Sequence, residues 1–180
     1  MLKNPPFGGY SAYFVDIAFN SFYNNGMKNK GEIAKEYFER GYTCSQAVVL
    51  AFKDEIGVDE TVLAKLVGGL GGGVARKREV CGTVTGLTIT LSYLYGDALM
   101  DVKTKSELYA DIQSVINKFE QANGSIVCKN LLGLAKTENS PVAEPRTKEY
   151  YKKRPCGLLC HDAALLVQEF IDSHELVKKS

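Results

Sequence analysis

Five cysteines stand in this 180-residue chain, and four of them are far apart: Cys44, Cys81, Cys128 and Cys156. Each falls where the surrounding pattern predicts the start of a helix, and Cys160 lies one helical turn past the last. A thiol at a helix start faces unpaired backbone N–H groups and the positive end of the helix dipole, both of which favour the thiolate. Thiolates bind metals or do redox chemistry, so the residue types define a chemistry without naming a substrate. For each cysteine the alternative is a small apolar residue packed in a core. Cys160 reads as the packed kind, because it shares the apolar stripe of Ala163 and Val167 as well as a helix face with Cys156.

Other motifs carry less. Gly68 to Gly73 is glycine-rich, but Val74 and Ala75 stand where a phosphate loop needs lysine and serine or threonine. A close-packed or flexible turn is the expectation there. Cys156 to His161 is one residue too long for a haem-attachment motif, and no C-x₂-C zinc pair occurs. His161 and His174 are too separate for a histidine site. Arg76-Lys77-Arg78 could act on Cys81 if the chain folds back, although such triplets more often form a solvated edge. The stretch Lys148 to Arg154 reads as a solvated loop.

Gly41-Tyr42-Thr43-Cys44-Ser45-Gln46-Ala47-Val48, Gly71-Gly72-Gly73, Cys81-Gly82-Thr83-Val84-Thr85-Gly86, Gly124 to Cys128 with Leu131-Leu132-Gly133, and Cys156 before Asp162-Ala163-Ala164 occur in that order. Together they resemble the C_GCAxxG_C_C family, described as redox-active. The resemblance covers about residues 27–171. Thr83 replaces the alanine of the family's Cys-Gly-Ala-x-x-Gly, and Cys160 is additional. The family is similar to the cysteine-bearing domain of split-Soret cytochromes, for which an iron–sulfur cluster has been proposed. That resemblance implies Cys44, Cys81, Cys128 and Cys156 as the ligands of a cluster, [2Fe–2S] ahead of [4Fe–4S]. It also implies electron transfer or redox sensing with an unidentified partner protein. A metal-free dithiol/disulfide cycle and a non-catalytic helical interaction module remain open, and no enzyme class is assigned.

These sulfurs need elements to bring them together. The helical period runs from Gly31 to Gly41, with Ile33, Tyr37 and Phe38 on one face. Thr43 and Gln46 make a capping box for the helix bearing Cys44, which continues to Gly57. Asp59 can cap a third helix. Val80 to Tyr95 carries β-branched residues that suit a strand, but its length and the small residues Gly82 and Gly86, four apart, favour a helix that another approaches closely. Lys105 to Gln121 is amphipathic and stops at Gly124. Ser125 can cap a short helix around Cys128, a loop spans about 135–154, and Pro155 suits the first turn of a final helix. The expectation is one all-α domain over 27–180, a compact bundle of six or seven helices. Residues 1–26 read as a poorly ordered arm or one that docks on a neighbour.

Formal net charge is +1, so no global field argues for nucleic acid or an anionic membrane. No apolar run is long enough to span a bilayer. An odd number of cysteines and a poor signal-peptide pattern point to the reducing cytoplasm. A homodimer fits a helical domain with an N-terminal arm.

Overall fold

Side-chain caps set where most of the helices begin. The computed structural model describes residues 28–135 and 140–179; the arm expected over 1–26 lies outside the described residues. Helix α1 (Lys30–Glu39) opens on a capping box formed by Asn29 and Glu32, one residue before the predicted start. Helix α2 (Cys44–Ala51) opens on the expected box, in which Thr43 N–H donates to Gln46 Oε1 at 2.8 Å. It was expected to reach Gly57, but it breaks at Phe52 and a separate turn, α3 (Lys53–Ile56), follows. Phe52 leaves helical geometry while its ring is fully buried, so packing of the ring outweighs one more helical turn.

Asp59 caps α4 (Glu60–Val67) through the Thr61 and Val62 amides, and a 3₁₀ turn, Gly68–Leu70, follows it. The ambiguous stretch is helix α5 (Gly82–Tyr95). Its β-branched residues are accommodated because Thr88 and Thr90 donate to the carbonyls of Val84 and Gly86 one turn back. Helix α6 (Val102–Asn123) starts on Asp101 and ends at Gly124, whose φ of 82° lies in the left-handed region that stops helices.

Two local expectations need correction. Ser125 does not cap α7 (Cys128–Leu131): Val127 holds that position, and the Ser125 hydroxyl accepts from the Val127 amide instead. The reason is tertiary, because Val127 pairs with Val80 in an antiparallel bridge and delays the helix. The expected loop over 135–154 contains a helix of its own, α8 (Lys148–Lys153), capped by Thr147. Helix α9 (Cys156–Lys179) begins directly after Pro155.

Helix α2 is the centre of the fold. Every residue of it except Gln46 is buried, and it packs against α1, α4, α5 and α9. Val48, Val49 and Leu50 are fully enclosed, each contributing about 1.5–3 kcal/mol by leaving water. Helix α9 also packs on α1, α5 and α6. Gly86 permits the α2–α5 approach, since a Cβ there would sit 2.9 Å from Val48 Cβ. The described residues form nine helices, six of them eight residues or longer, with no strand beyond the isolated bridge. The all-α expectation holds, and the higher count comes from α3, split from the helix of Cys44, and from α8. Among the described residues, no helix is long and apolar enough to cross a membrane.

Candidate functional site

Cys44, Cys128 and Cys156 are the first residues of α2, α7 and α9, and Cys81 is the cap residue of α5. Helix starts therefore carry all four sulfurs, as the sequence pattern predicts. The four line one cavity of about 320 Å³. All are buried, at 8, 3, 6 and 7 % exposure in chain order.

Different devices bring them there. The Val80–Val127 bridge places Cys81 and Cys128 on neighbouring strands of chain: Cys81 N–H donates to Ile126 O at 2.8 Å, and Cys128 N–H donates to Glu79 O at 2.7 Å. Glycines let the backbone close around the sulfurs. A Cβ on Gly82 would lie 3.1 Å from Cys44 Cβ, and one on Gly73 would lie 2.7 Å from Cys128 Cβ. Gly71 admits no side chain either, because Thr43 Cβ would be 2.5 Å away. The glycine run is thus the close-packed turn that its sequence allowed. Its backbone is strained as well, for Gly72, Gly73, Val74, Ala75 and Arg76 all have positive φ, between 48° and 70°.

Cys160 behaves as a core residue. It is fully buried, does not line the cavity, and directs its thiol at the Cys44 carbonyl, 3.9 Å away. It nonetheless touches the site electrically, since its thiol helps to raise that of Cys44.

Burial reverses the expected effect of the helix starts on protonation. Desolvation pushes the Cys81 thiol up to about 11, against the hydrogen bond donated by Thr83 Oγ1 at 3.2 Å. Desolvation likewise raises Cys128, although Arg78 opposes it, and raises Cys160. At Cys44, hydrogen bonding with Cys156 favours the thiolate, but Cys160 and burial outweigh it and hold the thiol well above its ordinary value. Cys156 is raised by its hydrogen bond with Cys44 and by burial. In the metal-free protein these groups are therefore thiols.

Sequence reasoning missed most of the cationic wall. Arg76, Arg78, Arg146 and Arg154 line the same cavity, with Glu144 the one carboxylate beside them among the described residues. Arg78 lies against Cys128, not Cys81 as the triplet suggested, while Lys77 is exposed. Arg154 and Tyr150, read as parts of a solvated loop, also face the cavity. Arg146 reaches in from the loop before α8, donates to Tyr42 O and stacks over Phe38 and Tyr150 at 4.5 and 4.7 Å from the ring centroids.

A family model described as "Putative redox-active protein (C_GCAxxG_C_C)" matches residues 42–170, which take in all five cysteines and most of the cavity wall.

The chain belongs to the C_GCAxxG_C_C family.

No curated protein and no solved structure matches it. The family's description carries four cysteines, and four of this chain's five line the cavity. Its redox-active description accords with thiols held together in a shielded pocket. Among the described residues, no group of three or more His, Cys, Asp or Glu side chains is placed to hold a metal ion.

Proposed function

We propose that this C_GCAxxG_C_C protein carries an iron–sulfur cluster on Cys44, Cys81, Cys128 and Cys156 and works in electron transfer or redox sensing in the cytoplasm. The observation that carries this reading is the meeting of four sequence-distant cysteines, each buried and at a helix start, around one cavity. The donor set fits such a group: four sulfurs complete the ligation of a [2Fe–2S] or [4Fe–4S] core, with the smaller core preferred. Ligands of a polynuclear core are shared among several irons and need not converge on one point, as a single ion would require. Gly73 and Gly82 let the backbone come close around Cys128 and Cys44, and four guanidinium groups favour an anionic occupant.

When bound, the cluster would supply one-electron redox chemistry. The chain's own part is to hold the sulfurs, shield them from water by burial, and offset part of what burial costs the thiolate. Thr83 does this at Cys81 and Arg78 at Cys128. Helix starts add four sets of backbone dipoles that favour negative charge.

The test is iron and acid-labile sulfide analysis of the full chain purified without oxygen, together with its visible absorption. Stoichiometric iron and sulfide are expected. Serine at position 44, 81, 128 or 156 should each remove most of the iron, whereas Cys160→Ser should retain it. Equal loss in all five variants would reassign the ligand of α9, and iron-free, colourless protein would overturn the reading.

A second reading has its own support in the closeness of Cys44 and Cys156, which line the same cavity and act on each other's protonation. These two sulfurs would form a disulfide, giving up two protons and two electrons to a disulfide of a partner protein, which is reduced to two thiols. A non-reduced digest of mildly oxidised, metal-free protein should then yield the peptide pair containing Cys44 and Cys156.

A further inference from the structure

Among the described residues, two buried guanidinium nitrogens in the cavity wall have no hydrogen-bond acceptor: Nε of Arg78 and Nη1 of Arg146. Arg78 is only 3 % exposed, so bulk water does not serve it. Leaving a buried donor unpaired is costly, and more so on a charged group. Among the described residues the wall holds four guanidinium groups and one carboxylate.

That single carboxylate is bound in an unusual way. One of its oxygens, Glu144 Oε1, accepts from Arg154 Nη2 and from Arg76 Nη1 at 3.4 Å, and lies 3.7 Å from Arg78 Nη2. Three arginines from two distant segments thus converge on one oxygen. Guanidinium forks match the oxygens of carboxylate, sulfate and phosphate, often two bonds at a time. The arrangement is that of an oxyanion site in which a loop residue of the same chain takes part of the ligand's place.

We propose that Arg76, Arg78, Arg146 and Arg154 form a binding site for a small oxyanion beside the four cysteines, with Glu144 as its built-in competitor. The ligand supplies the acceptors that Arg78 Nε and Arg146 Nη1 lack. Its class is a compact group carrying two or more negatively charged oxygens, either planar as in a dicarboxylate or tetrahedral as in sulfate and phosphate. The cavity, about 320 Å³, lies at the small end of ligand pockets and suits so compact a group. The site stands on the arginines, which line the same cavity as the four sulfurs, so a cluster held there would be its neighbour.

Calorimetric titration of the full, anaerobically purified chain tests it, at constant ionic strength set with chloride. The probes are inorganic sulfate, inorganic phosphate and oxalate, and their ranking separates a tetrahedral from a planar ligand. One-site saturable binding of at least one probe is expected. Arg146→Gln should weaken it about tenfold or more, as should Arg78→Gln if circular dichroism shows that variant folded. Glu144→Gln should tighten it several-fold by removing the competitor. Heats that follow ionic strength alone, or equal affinity in wild type and Arg146→Gln, overturn the site; weaker binding by Glu144→Gln overturns its role as competitor. Cys81→Ser keeps the two readings apart. Oxyanion binding without iron in wild type sinks only the cluster, and iron without oxyanion binding sinks only this site.

Discussion

Thr83 stands where the family pattern has alanine, and its hydroxyl donates to the Cys81 sulfur from a fully buried position. A hydrogen bond to a ligand sulfur withdraws charge from it, which stabilises the reduced state of a cluster and raises its potential. Thr83→Ala should therefore lower the potential of the iron-loaded protein, measured by voltammetry, while Thr83→Ser should stay near the wild type. The alanine variant should also lose about 1 kcal/mol of stability with the bond. Identical potentials for the alanine and serine variants would show that the hydroxyl only fills space. At this scale the sulfurs were legible in the sequence because the features around them are local: a capping box at Thr43 and Gln46, and a proline before Cys156. The arginines were not, since Arg146 and Arg154 reach the cavity from 60 or more residues beyond Arg76 and Arg78, through contacts that no local pattern encodes.

Between the 3₁₀ turn and α5 the chain adopts a left-handed course that its sequence half announces. Gly72 and Gly73 accept positive φ readily, but Val74, Ala75, Arg76 and Arg78 do not, and each lies between 48° and 65°. Left-handed backbone costs an L-residue roughly 1–2 kcal/mol, and β-branched Val74 is among the poorest fits. What holds it is the surrounding hydrogen bonding: Ala75 N–H donates to Gly69 O at 2.8 Å, and Lys129 N–H donates to Arg78 O at 3.1 Å. The side chain of Val74 is exposed, at 40 %, so it gives little packing in return. Val74→Gly should consequently raise stability by about 1 kcal/mol in urea unfolding, the reverse of the usual glycine effect. A loss of stability would mean that Val74 packs against something in solution. The other elements divide in the same way. Helices α2, α4, α5 and α6 were legible from caps, stops and period, whereas the bridge that displaced Ser125 as a cap, and helix α8, depended on contacts made only in the folded chain.

Across the whole molecule, the core and the cavity are built from different parts of the same helices. The sulfurs sit at the starts of α2, α5, α7 and α9, while Leu50, Leu87, Phe119 and Val167 fill the interior from positions further along α2, α5, α6 and α9. Such a layout keeps the fold standing when the site is empty, since α2 is enclosed by helix packing that needs no metal. A ligand that binds only the folded state still adds stability by mass action. Chelation of iron from the loaded protein should therefore leave the far-ultraviolet circular dichroism nearly unchanged while lowering the melting temperature. For a chain of this size, 1 kcal/mol corresponds to about 2–4 °C, so the loss of a few kcal/mol appears as a fall of about 5–10 °C. Helix content that collapses on chelation would show that the cluster, not the apolar packing around α2, organises the fold. A melting temperature indifferent to iron would place the metal away from the cavity altogether.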